Sequence, residues 1–193
     1  TKFPSVRLAV LASGTGSIYE AIVNAGISVA TVLVDRPCKA IDLAESDNIP
    51  VTAVMRTEFG KDFDRNAYSD EIVTQLQRQE IDVIAMAGFG TVLGKPFFDA
   101  YNGRVLNTHP SLLPSFPGWH AVREALAHGV KITGCTVHLA TLEVDAGPIL
   151  AQASVNIEVN DTEAKLHERI KLVERDLYPA TIKTFISSME HQS

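Results

Sequence analysis

The chain has 193 residues, enough for one sizeable α/β core, and its 46% hydrophobic and 21% charged residues lie in the ordinary globular range. A formal charge of −6 argues against a nucleic-acid or membrane-surface partner, while a local basic pocket for one small anion stays compatible with it. No apolar run approaches the roughly 20 residues of a membrane span, no signal-peptide pattern is present, and Cys38 and Cys135 stand at no metal or redox spacing; the expectation is a cytoplasmic protein with one domain over 1–193 and free thiols.

Val6 to Leu11 reads as a buried strand that runs straight into Ala12-Ser13-Gly14-Thr15-Gly16-Ser17, with a helix expected from about Ile18. Glycines let the backbone approach a ligand closely, and the free amides and positive dipole end of the helix attract an anion such as phosphate. Tyr19 stands where a dinucleotide fingerprint has its third glycine, and no Walker lysine follows. From these residues alone, a tight turn with no ligand is an equal reading.

Val29 to Val34 is a second strand, and Asp35-Arg36-Pro37 after it reads as an exposed turn before a helix over 39–46. Val51 to Val54 gives a third strand. Phe63 to Arg78 gives a helix with Ala67, Ile72, Val73 and Leu76 inward, and Arg65 and Tyr68 facing either solvent or a neighbouring cleft. A fourth strand, Ile81 to Ala87, ends in Gly88-Phe89-Gly90, and a short helix follows from about Lys95 to Ala100.

Val105, Leu106 and Thr108 then read as a fifth strand, which Pro110, Pro114, Pro117 and Gly118 forbid from continuing. Asn107 and His109 are two residues apart at its end, so their side chains share a face, and an amide donor and a titratable imidazole converge there. The competing reading is a turn-capping Asn and a packed His. His120 to His128 reads as a helix.

The β/α alternation to this point predicts a parallel sheet with right-handed crossovers. Ligands in such sheets bind beyond the strand carboxyl ends, where the first glycine loop, the Gly88-Phe89-Gly90 turn and the Asn107/His109 pair all fall. Lys131 to Leu139 and Ile149 to Ile157 are strands with no helix between them, hence a late antiparallel hairpin. The expected architecture is α/β: an open, mostly parallel Rossmann-like sheet flanked by helices. Asp145, in the hairpin loop, reads by itself as a turn aspartate. A final helix opens at Asp161-Thr162 with Leu166, Ile170, Val173 and Leu177 toward the core; Glu174 is one position off that stripe and reads as exposed unless the helix borders a site.

Taken together, Ser13-Gly14-Thr15-Gly16-Ser17, Ala87-Gly88-Phe89, Leu106-Asn107-Thr108-His109-Pro110-Ser111-Leu112-Leu113-Pro114 with Phe116-Pro117-Gly118, Gly134-Cys135-Thr136-Val137-His138 and Asp145-Ala146-Gly147-Pro148-Ile149 resemble the folate-dependent formyltransferases over nearly the whole chain. Within that family the glycine loop and the length are similar to the members that formylate the amine of glycinamide ribonucleotide in purine biosynthesis. The resemblance implies 10-formyltetrahydrofolate as co-substrate, no metal, and a monomer or weak homodimer. It assigns catalysis to Asn107, His109 and Asp145. It assigns the ribonucleotide to Gly14, Thr15, Gly16, Ser17, Ile18 and Glu174, and folate to Arg65, Phe89, Gly90, Thr91, Val92, Leu93, Asn107, Thr141, Leu142, Glu143, Val144 and Asp145.

The chemistry suits those residue types. A neutral amine attacks a formyl carbon, an oxyanion develops, and the folate nitrogen leaves with a proton; Asn107 and a protonated His109 suit the oxyanion, and Asp145 maintains the charge on His109 and aids proton transfer. Three positions depart from the family pattern. Gly90-Thr91 replaces a frequent Met-Arg and removes an arginine expected near the glutamate tail of folate, Trp119 stands where smaller residues are commoner, and Ile18 replaces a frequent Asn. Formyltetrahydrofolate hydrolase, methionyl-tRNA formyltransferase, a sugar-nucleotide formyltransferase and a non-catalytic binder are the competing readings.

Overall fold

The computed structural model describes residues 5–191. Its strands, β1 Leu8–Ala12, β2 Thr31–Val34, β3 Val51–Ala53, β4 Val83–Met86, β5 Val105–His109, β6 Ile132–Leu139 and β7 Ile149–Asn156, form one sheet in the order β3-β2-β1-β4-β5-β6-β7. The first five run parallel, β5 pairs antiparallel with β6, and β6 with β7. The expected open, mostly parallel sheet with a late hairpin is therefore what forms. Six helices cover it: α1 Ser17–Asn24, α2 Lys39–Ser46, α3 Arg65–Arg78, α4 Lys95–Ala100, α5 Ala121–His128 and α6 Glu163–Glu190.

β1 reads as an unbroken apolar run because it is buried on both faces. Leu8, Val10 and Ala12 pack toward α1, α2 and α6, and Ala9 and Leu11 pack toward α3 and α4, so two core layers sandwich the sheet. A third cluster of Val122, Cys135, Val155, Leu166 and Ile170 seats α5 and α6 against the hairpin.

One buried hydroxyl lies at the point where the sheet opens. The last paired residues of β4 and β5 are Ala85 and Leu106; just beyond them, Tyr178 Oη donates to the carbonyls of Met86 at 2.8 Å and Leu106 at 2.9 Å. The next residue of β5 is Asn107. The start of the crevice therefore lies next to the residues expected to do chemistry.

Candidate active site

A cavity of about 490 Å³ lies beyond the carboxyl ends of β1, β4 and β5, a size typical of small-molecule sites. Asn107, His109 and Asp145 all line it. His109 is buried, its Nε2 lies 2.8 Å from the Phe116 carbonyl, and its Nδ1 lies 3.4 Å from Asp145 Oδ2. Both ring nitrogens thus face oxygen atoms.

Asp145 arrives from the β6–β7 loop in the left-handed region, at φ 55°, a conformation aspartate tolerates better than most residues. Its Oδ2 also accepts the Gly118 amide at 2.8 Å, and its Oδ1 lies 3.7 Å from His138 Nε2. His138 pairs with Asn107 in the β5–β6 register and is buried beside it. Burial holds the His138 ring toward its neutral form against the pull of Asp145, and the ring's Nε2 has no hydrogen-bond partner. The carboxylate is therefore flanked by two imidazoles, one on each oxygen.

On one flank, Gly14, Thr15, Gly16, Ser17 and Ile18 line the cavity where β1 turns into α1, and no side chain caps that helix. Gly16 is required there: φ is 77°, and a side chain would meet Leu43 Cδ1 at 2.7 Å and Ala40 Cα at 3.1 Å. α6 closes the same flank with His167, Lys171 and Glu174. Glu174 is buried and accepts from Thr108 Oγ1 at 2.9 Å; burial pushes its carboxyl above the usual carboxylate range. It does not lie exposed as its place beside the Leu166, Ile170, Val173, Leu177 stripe suggested, because α6 presents the ladder Leu166, Ile170, Glu174, Tyr178, Ile182 to the sheet.

On the other flank, Phe89, Thr91, Val92, Leu93 and Phe98 give an apolar wall opposite Thr141 and Val144. This wall is tied back to the glycine loop through Asp35, which is buried rather than the exposed turn residue the sequence suggested. Ser13 Oγ donates to Asp35 Oδ1 at 2.7 Å, Thr91 Oγ1 to Oδ2 at 2.6 Å, and Arg36 to both oxygens at 2.9–3.0 Å. Burial alone would raise this carboxyl; the hydrogen bonds from Arg36, Ser13 and Thr91 outweigh it and hold it below its usual range. Ser13 Oγ in turn accepts the Gly90 amide at 2.7 Å.

Most of the expected ligand-lining residues meet in this one space, including all six ribonucleotide candidates. Four folate candidates do not line it. Gly90 backs against Arg36, Arg65 lies behind the 88–94 loop with its Cγ facing Gly94, and Leu142 and Glu143 point out from the hairpin loop and are exposed. Sequence reasoning missed Lys171, His167 and His138. Lys171 and His167 were detectable, being one and two helical turns before Glu174 on the same face. His138 was detectable only from its register with Asn107.

A formyl transferase family profile matches residues 6–182. Phosphoribosylglycinamide formyltransferase of Mycobacterium tuberculosis is 44% identical over 181 residues, spanning 91% of this chain and 83% of that one. The Bacillus subtilis protein of the same name is 38% identical over 187 residues, spanning 93% and 94%. Among solved structures, glycinamide ribonucleotide transformylase 1 from Symbiobacterium toebii superposes with a TM-score of 0.89 at 35% identity, covering 95% of this chain and 88% of that one. Phosphoribosylglycinamide formyltransferase from Bacillus halodurans does so at 0.85 and 39%, covering 94% and 95%.

Proposed function

The chain belongs to the formyl transferase family, and from that premise we infer that it transfers the formyl group of 10-formyltetrahydrofolate to the amine of glycinamide ribonucleotide, a step of purine biosynthesis. Among the described residues no helix is long and apolar enough to cross a membrane, and the family profile over residues 6–182 supports reading them as one catalytic domain. The approach of His109 Nδ1 to Asp145 Oδ2, 3.4 Å apart across a cavity that also holds Asn107 and the glycine loop, is the observation that carries the mechanism below.

The amine nitrogen attacks the formyl carbon, and the carbonyl π electrons move onto oxygen. The Asn107 amide N–H and the positive charge of His109 stabilise that oxygen. At 3.4 Å the Nδ1–carboxylate approach is longer than the roughly 2.7–2.9 Å of a tight charge-assisted hydrogen bond, which leaves the Nδ1 proton available to a third oxygen. Asp145 takes the proton the attacking amine sheds. As the carbon–nitrogen bond to folate breaks, that proton passes to the departing folate nitrogen, and the products are a formamide and tetrahydrofolate. The Gly118 amide holds the carboxylate while this happens.

Binding follows the two flanks. The uncapped amides of Gly14 to Ser17 and the ammonium of Lys171 suit a phosphate, and Glu174 suits ribose hydroxyls. The wall of Phe89, Val92, Leu93 and Phe98 suits the pterin and benzoyl rings. The test is to supply 10-formyltetrahydrofolate with and without glycinamide ribonucleotide and follow deformylated folate. Release only with the ribonucleotide is expected, and release without it would identify a hydrolase instead. His109→Ala is expected to lower kcat by a factor on the order of 10²–10⁴ while folate binding is largely kept. An unchanged turnover would remove His109 from the mechanism.

A further inference from the structure

Three ionisable side chains of α6 line the cavity: His167, Lys171 and Glu174, spaced four and three residues apart and so on one side of the helix. Two of them are already engaged. Glu174 accepts from Thr108, and Lys171 Nζ lies 2.9 Å from Glu168 Oε1 in a solvent-open ion pair, a contact of small net value that is readily exchanged for a better partner. His167 is half-buried at the cavity wall, and among the described residues neither of its ring nitrogens has a hydrogen-bond partner. Its full donor and acceptor capacity is left for whatever enters the cavity.

The charge balance of that flank gives the ring a use. A phosphate monoester carries close to two negative charges at neutral pH. Among the described residues, Lys171 is the only lysine or arginine that lines the cavity, and the turn from Gly14 to Ile18 has no charged side chain at all. A second positive charge can therefore come only from a histidine. His109 and His138 lie against Asp145 in the catalytic cluster, which leaves His167. Its position also fits the acceptor. From Glu174 through Lys171 to His167 is seven residues, about 10 Å along the helix axis. A ribose 5′-phosphate with one hydrogen bond at each end spans a comparable length.

We propose that His167 is a side-chain ligand of the acceptor's phosphate and takes up a proton from solvent as that phosphate binds, supplying the second positive charge of the ribonucleotide site. The proposal rests on the formyl-transfer reading above. Burial and, after it, Lys171 hold the ring toward its neutral form in the empty site, against the weaker pull of Glu168 and Glu163 on the same helix. A phosphate dianion beside the ring reverses that balance. Ribonucleotide affinity is then greatest below the pKa of the ring in the complex and weakens as pH rises through it, while below about pH 6 the phosphate gains its own proton and the advantage ends.

Calorimetric titration of the intact protein with glycinamide ribonucleotide, slightly above neutral pH and in buffers of different ionisation enthalpy, counts the protons exchanged on binding. The parent is expected to take up more proton than His167→Gln, since any proton shed by the substrate amine is common to both. In steady-state assays at neutral pH, His167→Gln is expected to raise KM for the ribonucleotide roughly tenfold with kcat and folate KM unchanged. His167→Lys keeps a positive charge that is not lost in this range, and is expected to recover the affinity and hold it to higher pH than the parent does. A ribonucleotide KM in His167→Gln equal to the parent's, or equal proton uptake by the two proteins, overturns the proposal. Ribonucleotide binding with the expected proton uptake but no ribonucleotide-dependent deformylation would overturn formyl transfer instead, and so the two failures are distinguishable.

Discussion

Tyr178→Phe tests whether the β4–β5 crevice is opened by the hydroxyl identified above. The ring is fully buried, and phenylalanine keeps its volume and packing, so the substitution removes one O–H that serves two carbonyls at 2.8 and 2.9 Å. The loss combines the net value of a neutral hydrogen bond with the cost of leaving a buried acceptor short of a donor, together about 1–3 kcal/mol. For a domain of this size that corresponds to a fall in Tm of roughly 2–12 °C, at about 2–4 °C per kcal/mol. Because Leu106 immediately precedes Asn107, kcat should fall severalfold at temperatures where the variant is still folded, with little change in either KM. Thermal unfolding followed by circular dichroism, paired with steady-state kinetics well below the transition, measures both. A Tm within about 1 °C of the parent with unchanged kcat would refute the idea that this hydroxyl sets the strand ends, since such a shift corresponds to well under 1 kcal/mol.

Glu174→Gln separates stability from binding. Burial raises the Glu174 carboxyl above the ordinary glutamate value of about 4.5, so its contribution to stability is fully present below that pH and is lost as pH rises through the folded value. Glutamine keeps an acceptor for Thr108 and carries no charge to bury; the urea midpoint of the variant should exceed the parent's at alkaline pH and the difference should vanish below 4.5, while the ribonucleotide KM rises. Gly147→Ala should displace the β6–β7 loop, because the added methyl collides with the Leu139 carbonyl oxygen; a kcat loss on the order of 10²-fold with a far smaller change in ribonucleotide KM is expected, and full activity would show that Asp145 tolerates movement.

The fold and the chemistry were legible in the sequence to different depths. The apolar runs Leu8 to Leu11 and Val32 to Val34 announce strands covered on both faces, because such strands need no polar side. Asn107 and His109 were legible by alternation on a strand that prolines terminate. Asp145 was legible only through the family resemblance: the meeting of the β6–β7 loop with the Phe116–Gly118 turn brings it to His109, and local pattern carries no information on that contact. Glu174 was misjudged through the choice of stripe. Positions 166, 170, 174, 178 and 182 are the buried ladder of α6, and a charged member hid it, although Tyr178 and Ile182 continued the spacing.

The Gly90-Thr91 departure takes on a different meaning once Asp35 is seen to be buried. A side chain at position 90 would come within 2.7 Å of Arg36 Nη2, so glycine there leaves room for the Arg36 guanidinium, which engages Asp35 with two hydrogen bonds. Thr91 supplies a third donor to the same carboxylate, and Ser13 a fourth. The two residues that removed an arginine from the 88–94 loop are thus the two that fasten this loop to a neighbouring arginine and to the glycine turn. A buried carboxylate left with fewer donors would be costly, so these four positions are constrained as a set. Because Ser13 precedes the phosphate-suited amides and Thr91 belongs to the apolar wall, ordering one flank of the cavity restrains the other. Binding of the ribonucleotide and of a folate analogue should therefore be cooperative: calorimetric titration should give a lower Kd for each when the other is bound, and equal Kd values would refute the coupling.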